Sequence, residues 1–305
     1  MNREEYNRKM TDLQVIRGIS KSLWRRSFEV QEYPDDVIDI CLRRGSVRPA
    51  QDYLRAAYLG DLNAAPARPV RPAAPSMRRF GVEIECFGAQ RADIIARAAE
   101  QGLDVVSESY NHRDGGYAKI VSDASIEGGL GNEVVMPPAS ELGDLQRICR
   151  ALRAAGASVN KSCGLHVHID AAGMTPAHAY RIGLNYYRLR ALINKGLAPS
   201  RRANRYCWIV MPSMLMRDCG SWDSLLRNCH SRYVAVNYTA YSCHGTIEFR
   251  QHQGTINFAK VRRWLLFLQS RVEWSDTHTL DVDVTRRDDP RLAGLRVDYL
   301  RELAA

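Results

Sequence analysis

Apolar residues recur along this chain with two different periods. In residues 82–86 (VEIEC), 165–170 (LHVHID) and 246–252 (TIEFRQH) they alternate with polar ones, the period-two signature of a strand with one buried face. The first of these belongs to a strand at 79–86, and similar short runs predict further strands at 103–108, 118–122, 132–136 and 234–241, the last joined to 246–252 by the short link Ser242–Gly245 as a hairpin. Between them, apolar residues spaced by three and four predict helices over 90–101, 140–155, 176–196, 221–229 and 258–273. Short strands separated by long helices, with a hairpin among them, imply an α+β domain: a mainly antiparallel sheet with helices on one face.

Earlier in the chain the texture differs. Leu13, Ile16, Ile19 and Leu23 have helical spacing, and a second segment with Val37, Ile38, Ile40 and Leu42 is opened by Pro34, Asp35 and Asp36. Residues 1–63 therefore read as a small helical module. Residues 64–77 (AAPARPVRPAAPSM) set four prolines among small residues and arginines, which favours an extended connector. The strands and helices then fill 78–275, and 276–305 form a C-terminal extension.

The alternation places particular chemistry on one side of each strand. Glu83 and Glu85 share a face opposite Val82, Ile84 and Cys86; His166, His168 and Asp170 oppose Leu165, Val167 and Ile169. Glu248, Arg250 and His252 oppose Ile247, Phe249 and Gln251, and Glu133 comes from the strand NEVVM. A solvated sheet face is the plain alternative, but such a face mixes Thr, Lys, Ser and Gln, whereas these strands concentrate carboxylates and imidazoles. Gathered glutamates repel one another or take up protons unless a cation intervenes. An oxygen-rich set with an imidazole suits Mg²⁺ or Mn²⁺, with zinc left open by the two histidines. Arg250 beside Glu248 would then offset phosphate charge.

Composition adds limits. The chain has 305 residues, 45% hydrophobic and 25% charged, the balance of a globular protein. No apolar run approaches the roughly 20 residues of a membrane span. The polar start MNREEYNRKM lacks a secretory core, so the expectation is a soluble, cytoplasmic protein with its eight cysteines reduced. Those cysteines form no C-x-x-C pair, and phosphate-loop, dinucleotide-binding and nucleophile-elbow motifs are missing. A net charge of +9 permits an anionic partner. Lys21, Arg25, Arg26, Arg43 and Arg44 would allow nucleic-acid contact, but no binding motif accompanies them and a solvated basic face is the simpler reading. The segment 200–206 (SRRANRY) likewise reads as a solvated loop, with phosphate-binding arginines as the alternative, and 127–131 (EGGLG) reads as a mobile loop or a plain turn.

Taken in order, FGVEIE (80–85), DASI (123–126) with NEVVMPP (132–138), CGLHVHID (163–170) and RYVAVN leading into HGTIEFRQHQGT (232–255) resemble the amidoligase family. That family is related to glutamine synthetase and glutamate-cysteine ligase, the carboxylate-amine ligases. The resemblance spans about residues 78–274 and rests on the combination of motifs, since an isolated E-x-E or H-x-H carries nothing. It implies a curved, mainly antiparallel sheet of the glutamine synthetase type. It also implies metal ligation by Glu83, Glu85, Glu133, His166 and Glu248, ATP near His168, and phosphate contact by Arg250. Arg232 and Asn237 sit where substrate or phosphate contacts are expected, and Glu83, Glu248 and Arg250 are the residues on which catalysis would depend.

The implied reaction uses ATP and Mg²⁺ (or Mn²⁺) to turn a carboxylate into an acyl phosphate, which an amine attacks to form an amide. The amine would be an amino acid, peptide or polyamine. Two departures from the family pattern, Ala124 where glycine is usual and Met136 before the proline pair, touch only loop geometry. A metal-dependent hydrolase or phosphotransferase with the same carboxylates remains an alternative, as does a non-catalytic nucleic-acid-binding or assembly protein.

Overall fold

Strand β1 (Phe80–Cys86) occupies the middle of a seven-stranded sheet, with β2 (Val105–Ser107), β3 (Ala118–Ser122) and β4 (Asn132–Met136) on one side of it. On the other side lie β5 (Gly164–Asp170), β7 (Thr246–Gln253) and β6 (Val236–Asn237), giving the order β2-β3-β4-β1-β5-β7-β6. The computed structural model describes residues 76–109, 111, 115–138, 141–210, 220–229 and 231–295. The helical module expected at 1–63 and nearly all of the 64–77 connector lie outside them.

Every pairing is antiparallel except β2 with β3, which run parallel at the sheet edge. The apolar face is the one the alternation predicts: Val82, Ile84, Val134, Leu165, Val167, Ile247 and Phe249 are all fully buried. Helices α1 (Arg91–Glu100), α2 (Leu142–Ala154), α3 (Pro176–Lys195) and α7 (Phe258–Trp274) contribute Ile94, Ile148, Leu189 and Trp264 to the same core. Their ends are set by local chemistry. Thr175 caps α3 by accepting from the His178 amide at 3.1 Å with Pro176 in the first turn, and Asn257 caps α7 through the Ala259 and Lys260 amides. Short helices α4 (Pro199–Arg202) and α5 (Trp222–Asn228) complete the 199–228 region.

The expected strand at 234–241 is much shorter. Only Val236 and Asn237 pair with β7, and the chain then turns through a five-residue helix, α6 (Ala240–His244), instead of a tight hairpin link. Gly245 ends α6 in the left-handed region, φ 65°, which a side chain would strain.

A second difference lies in β7. Its register against β5 shifts between Leu165 and Val167: Leu165 faces His252 while Val167 faces Phe249, so β7 spends three residues where β5 spends two. The bulge moves His252 off the Glu248 face predicted for it. Its ring lies in the core, 5.1 Å from that of Trp264. Asp170 also leaves the predicted group; it sits at the end of β5 and pairs with Arg79 at 3.6 Å.

The 127–131 segment is a turn tied to its neighbours, with the Glu127 amide donating to Ser162 Oγ at 2.9 Å and Asn160 Nδ2 donating to Glu127 O at 2.6 Å. Beyond residue 275 the chain folds back on α3: the Val284 amide donates to Arg188 O and the Leu280 amide to Asn185 Oδ1, burying both side chains. Among the described residues no helix is long and apolar enough to cross a membrane.

Candidate active site

On the face of the sheet away from the core, register alone lines up the polar residues. Glu85 pairs with Glu133, Glu83 with His166, His168 with Glu248, and Asn237 with Glu248. Four strands and the stub of a fifth thus bring together all of the metal candidates expected from the sequence.

The contacts are close. His166 Nδ1 lies 2.9 Å from Glu83 Oε2, 3.7 Å from Glu248 and 3.9 Å from Glu133, while its Nε2 is 3.3 Å from Glu85 Oε1. His168 Nε2 is 3.3 Å from Glu83 Oε1, and its Nδ1 is held by Thr246 Oγ1 at 2.8 Å. Arg250 Nη1 donates to Glu248 Oε1, and Asn237 Nδ2 donates to Glu248 Oε2 at 2.7 Å. Asn237 is itself oriented by the Thr239 amide and hydroxyl.

These groups line a cavity of ≈ 600 Å³. Asp123 and Ser125 face it from an Asx turn, the Ser125 amide donating to Asp123 Oδ1 at 2.7 Å, so Ala124 serves this turn without the family's usual glycine. Arg232 lies at the wall, its guanidinium 5.2 Å from the Tyr233 ring. His252 and Asp170 are not among the described residues that line the cavity.

The electrostatics reflect crowding. Burial pushes Glu83 up, but its contacts with His166 and His168 outweigh that and hold it well below the usual carboxylate range. Burial likewise raises Glu248, and Arg250 and His168 bring it below its ordinary value. Glu133 goes the other way: burial first, then the charges of Glu83, Glu85 and Asp123, push it well up. His168 is lowered by burial but raised on balance by Glu83 and Glu248. Crowding thus raises the proton affinity of Glu133 while the imidazoles and Arg250 keep Glu83 and Glu248 low.

The gathered ligand atoms could hold a divalent cation. Glu83, His166 and Glu248 form one group, and Glu85, Glu133 and His166 another, each with ligand atoms within 4.8 Å of one another. His168 Nε2 is buried 3.3 Å from Glu83 Oε1. The oxygen-dominated donor set matches Mg²⁺ or Mn²⁺ better than zinc.

A family model described as "putative amidoligase enzyme" matches residues 76–272, well over half of the chain. The chain belongs to the amidoligase family. It is thereby placed among enzymes of the ligase type, and the matched span contains every strand and helix named above up to residue 272. No curated protein matches this amidoligase.

Sequence reasoning missed four supporting residues of this amidoligase. Lys119 is buried on β3, 2.8 Å from Asn111 Oδ1 and 3.5 Å from Glu108, and lines the cavity. The lone lysine in AKIVS was its signal, since a charged residue amid a buried strand must face something polar. Thr246 fixes His168, and Gly164 donates its amide to Glu85 Oε2 at 2.6 Å. The fourth, Arg201, departs from the solvated-loop reading of 200–206, which holds for its exposed neighbours Arg202 and Arg205: it is only 3% exposed and lines the cavity from α4.

Proposed function

We propose that this protein is an ATP-dependent carboxylate-amine ligase working on the polar face of the sheet. The observation that carries the reading is the convergence of Glu83, Glu85, Glu133, His166 and Glu248, from four strands, into two overlapping metal-type groups beside Arg250.

In the proposed reaction the γ-phosphoryl group of ATP passes to a substrate carboxylate, ADP leaves, and an amine displaces phosphate from the acyl phosphate to give an amide. Phosphoryl transfer asks the protein for positioning and charge neutralisation more than for covalent chemistry. Glu83, Glu85, Glu133, His166 and Glu248 would hold Mg²⁺ or Mn²⁺. When bound, the metal supplies Lewis-acid neutralisation of phosphate oxygens. Arg250 adds a fixed positive charge, anchored by Glu248. Asn237 and Thr246 keep Glu248 and His168 in place. Glu133, with its raised proton affinity, is suited to hold a proton until metal or substrate displaces it.

The test is phosphate release with Mg²⁺ and ATP across a panel of carboxylates and amines (amino acids, peptides and polyamines). Release that needs both partners and yields an amide supports the ligase. Release without amine would instead favour a hydrolase or phosphotransferase using the same residues.

A further inference from the structure

Among the described residues Arg201 has no counter-charge within ion-pair distance. Nη2 donates to the backbone oxygen of Arg250 at 2.6 Å, and Nε is buried with no partner. Taking a guanidinium out of water in this way is costly unless something neutralises it.

Arg271 provides a contrast within the same fold. It too is buried with an unpartnered Nε, but its guanidinium packs 4.7 Å from the Tyr186 ring and 4.8 Å from that of Phe249, and it is not among the residues lining the cluster's cavity. Aromatic faces account for Arg271. Among the described residues no aromatic ring covers the Arg201 guanidinium in this way, and Arg201 lines instead the cavity that holds the carboxylate and imidazole cluster.

Its approach is built into the backbone. A Cβ placed on Gly164 would fall 3.0 Å from Arg201 Nη2 and 2.9 Å from His166 Nε2, so the guanidinium reaches the cluster across a position that admits no side chain. Arg250 Nε is likewise buried and unpartnered. Two guanidiniums tied together by one backbone hydrogen bond thus keep donors unused at the same cavity.

We propose that Arg201 is a second anion-binding side chain of this cavity, taking a phosphate or carboxylate oxygen through its guanidinium. The ligase reading names the two sources of that oxygen, nucleotide phosphate or the substrate carboxylate; the anion chemistry itself follows from the unpaired guanidinium. A structural strut to the Arg250 carbonyl would explain Nη2 and leave Nε unexplained.

The experiment uses the full chain and reads binding of inorganic phosphate, pyrophosphate and succinate by calorimetry, with Mg²⁺ alone as a control. In Arg201→Met, affinity for at least one of these anions should fall about 10- to 100-fold, the cost of losing a charged hydrogen bond, while Mg²⁺ affinity stays near that of the wild type. A fall for phosphate and pyrophosphate assigns Arg201 to the nucleotide, and a fall for succinate assigns it to the acceptor. Should Arg201→Met fail to fold, the Nε–H resonance of ¹⁵N-labelled wild-type protein, identified by its loss in Arg201→Lys, is followed as each anion is added, and it should shift. Unchanged affinities in a folded Arg201→Met, or a resonance that no anion moves, overturns the proposal. Amine-dependent ATP turnover is scored separately: its absence with anion binding still dependent on Arg201 would count against the ligase reading and not against this one.

Discussion

Glu83 and His166 face each other directly across the β1 and β5 pairing, with His166 Nδ1 2.9 Å from Glu83 Oε2. The register of two central strands therefore sets the closest histidine–carboxylate contact in the cluster, and both residues belong to the group that includes Glu248.

Glu83→Gln keeps the size of the side chain and removes its charge. Loss of one such electrostatic contributor is expected to lower ligase turnover by about 10² to 10³-fold and to weaken Mg²⁺ or Mn²⁺ binding, with the circular dichroism spectrum unchanged. Wild-type metal affinity in this variant would remove Glu83 from the metal site.

Metal binding should release protons. Because Glu133 is held well above the usual carboxylate range, it keeps a proton at mildly acidic pH that a divalent cation must displace. Metal affinity then rises with pH until Glu133 is ionised without help. Titrating Mn²⁺ in buffers of different ionisation enthalpy gives the number released, which should drop in Glu133→Gln. An identical number in both proteins contradicts the assignment.

Asn237 touches Glu248 at 2.7 Å from the edge strand β6. Asn237→Ala should cost about 10- to 100-fold in metal affinity or turnover by releasing that carboxylate, the usual penalty for removing a group that orients a ligand. The check is a metal titration alongside thermal unfolding, since an equal loss of stability and affinity would indicate general disruption.

His252 predicts a pH effect on stability. Burial in the core lowers its imidazole from 6.5 to about 4. Between those values the unfolded chain holds a proton that the native protein does not, so this contribution is complete above pH 6.5 and is lost as pH falls towards 4. Its slope is up to about 1.4 kcal/mol per pH unit. Denaturant unfolding of His252→Phe should show a correspondingly weaker acid dependence than wild type; parallel curves would mean His252 titrates normally.

Much of this was legible in the chain because side chains alternate strictly along a strand. Once V-E-I-E and L-H-V-H are read as strands with one apolar side, Glu83, Glu85, His166 and His168 must emerge together on the other. That logic fails where the alternation itself breaks. The bulge in β7 transferred His252 to the core, and nothing in TIEFRQH marks where it occurs, since register is decided by the partner strand. The helical turn α6 shortened β6 for a similar reason: Ala240 to Gly245 closes through a glycine at φ 65°, compatible with either a hairpin link or a helix end.

Arg201 marks the other boundary. Among the three arginines of SRRANRY no local pattern separates Arg201 from its exposed neighbour Arg202, because the difference arises from long-range packing against Gly164 and the Arg250 carbonyl. By itself the sequence determined which residue types share a strand face, the helices that cover the opposite face, and the amidoligase motifs. Only the tertiary structure decided which strands are neighbours, that Glu133, Glu83, His166 and Glu248 meet across four of them, and which arginine is drawn out of water beside them. Periodicity is a property of one segment, whereas register and burial depend on what packs against it.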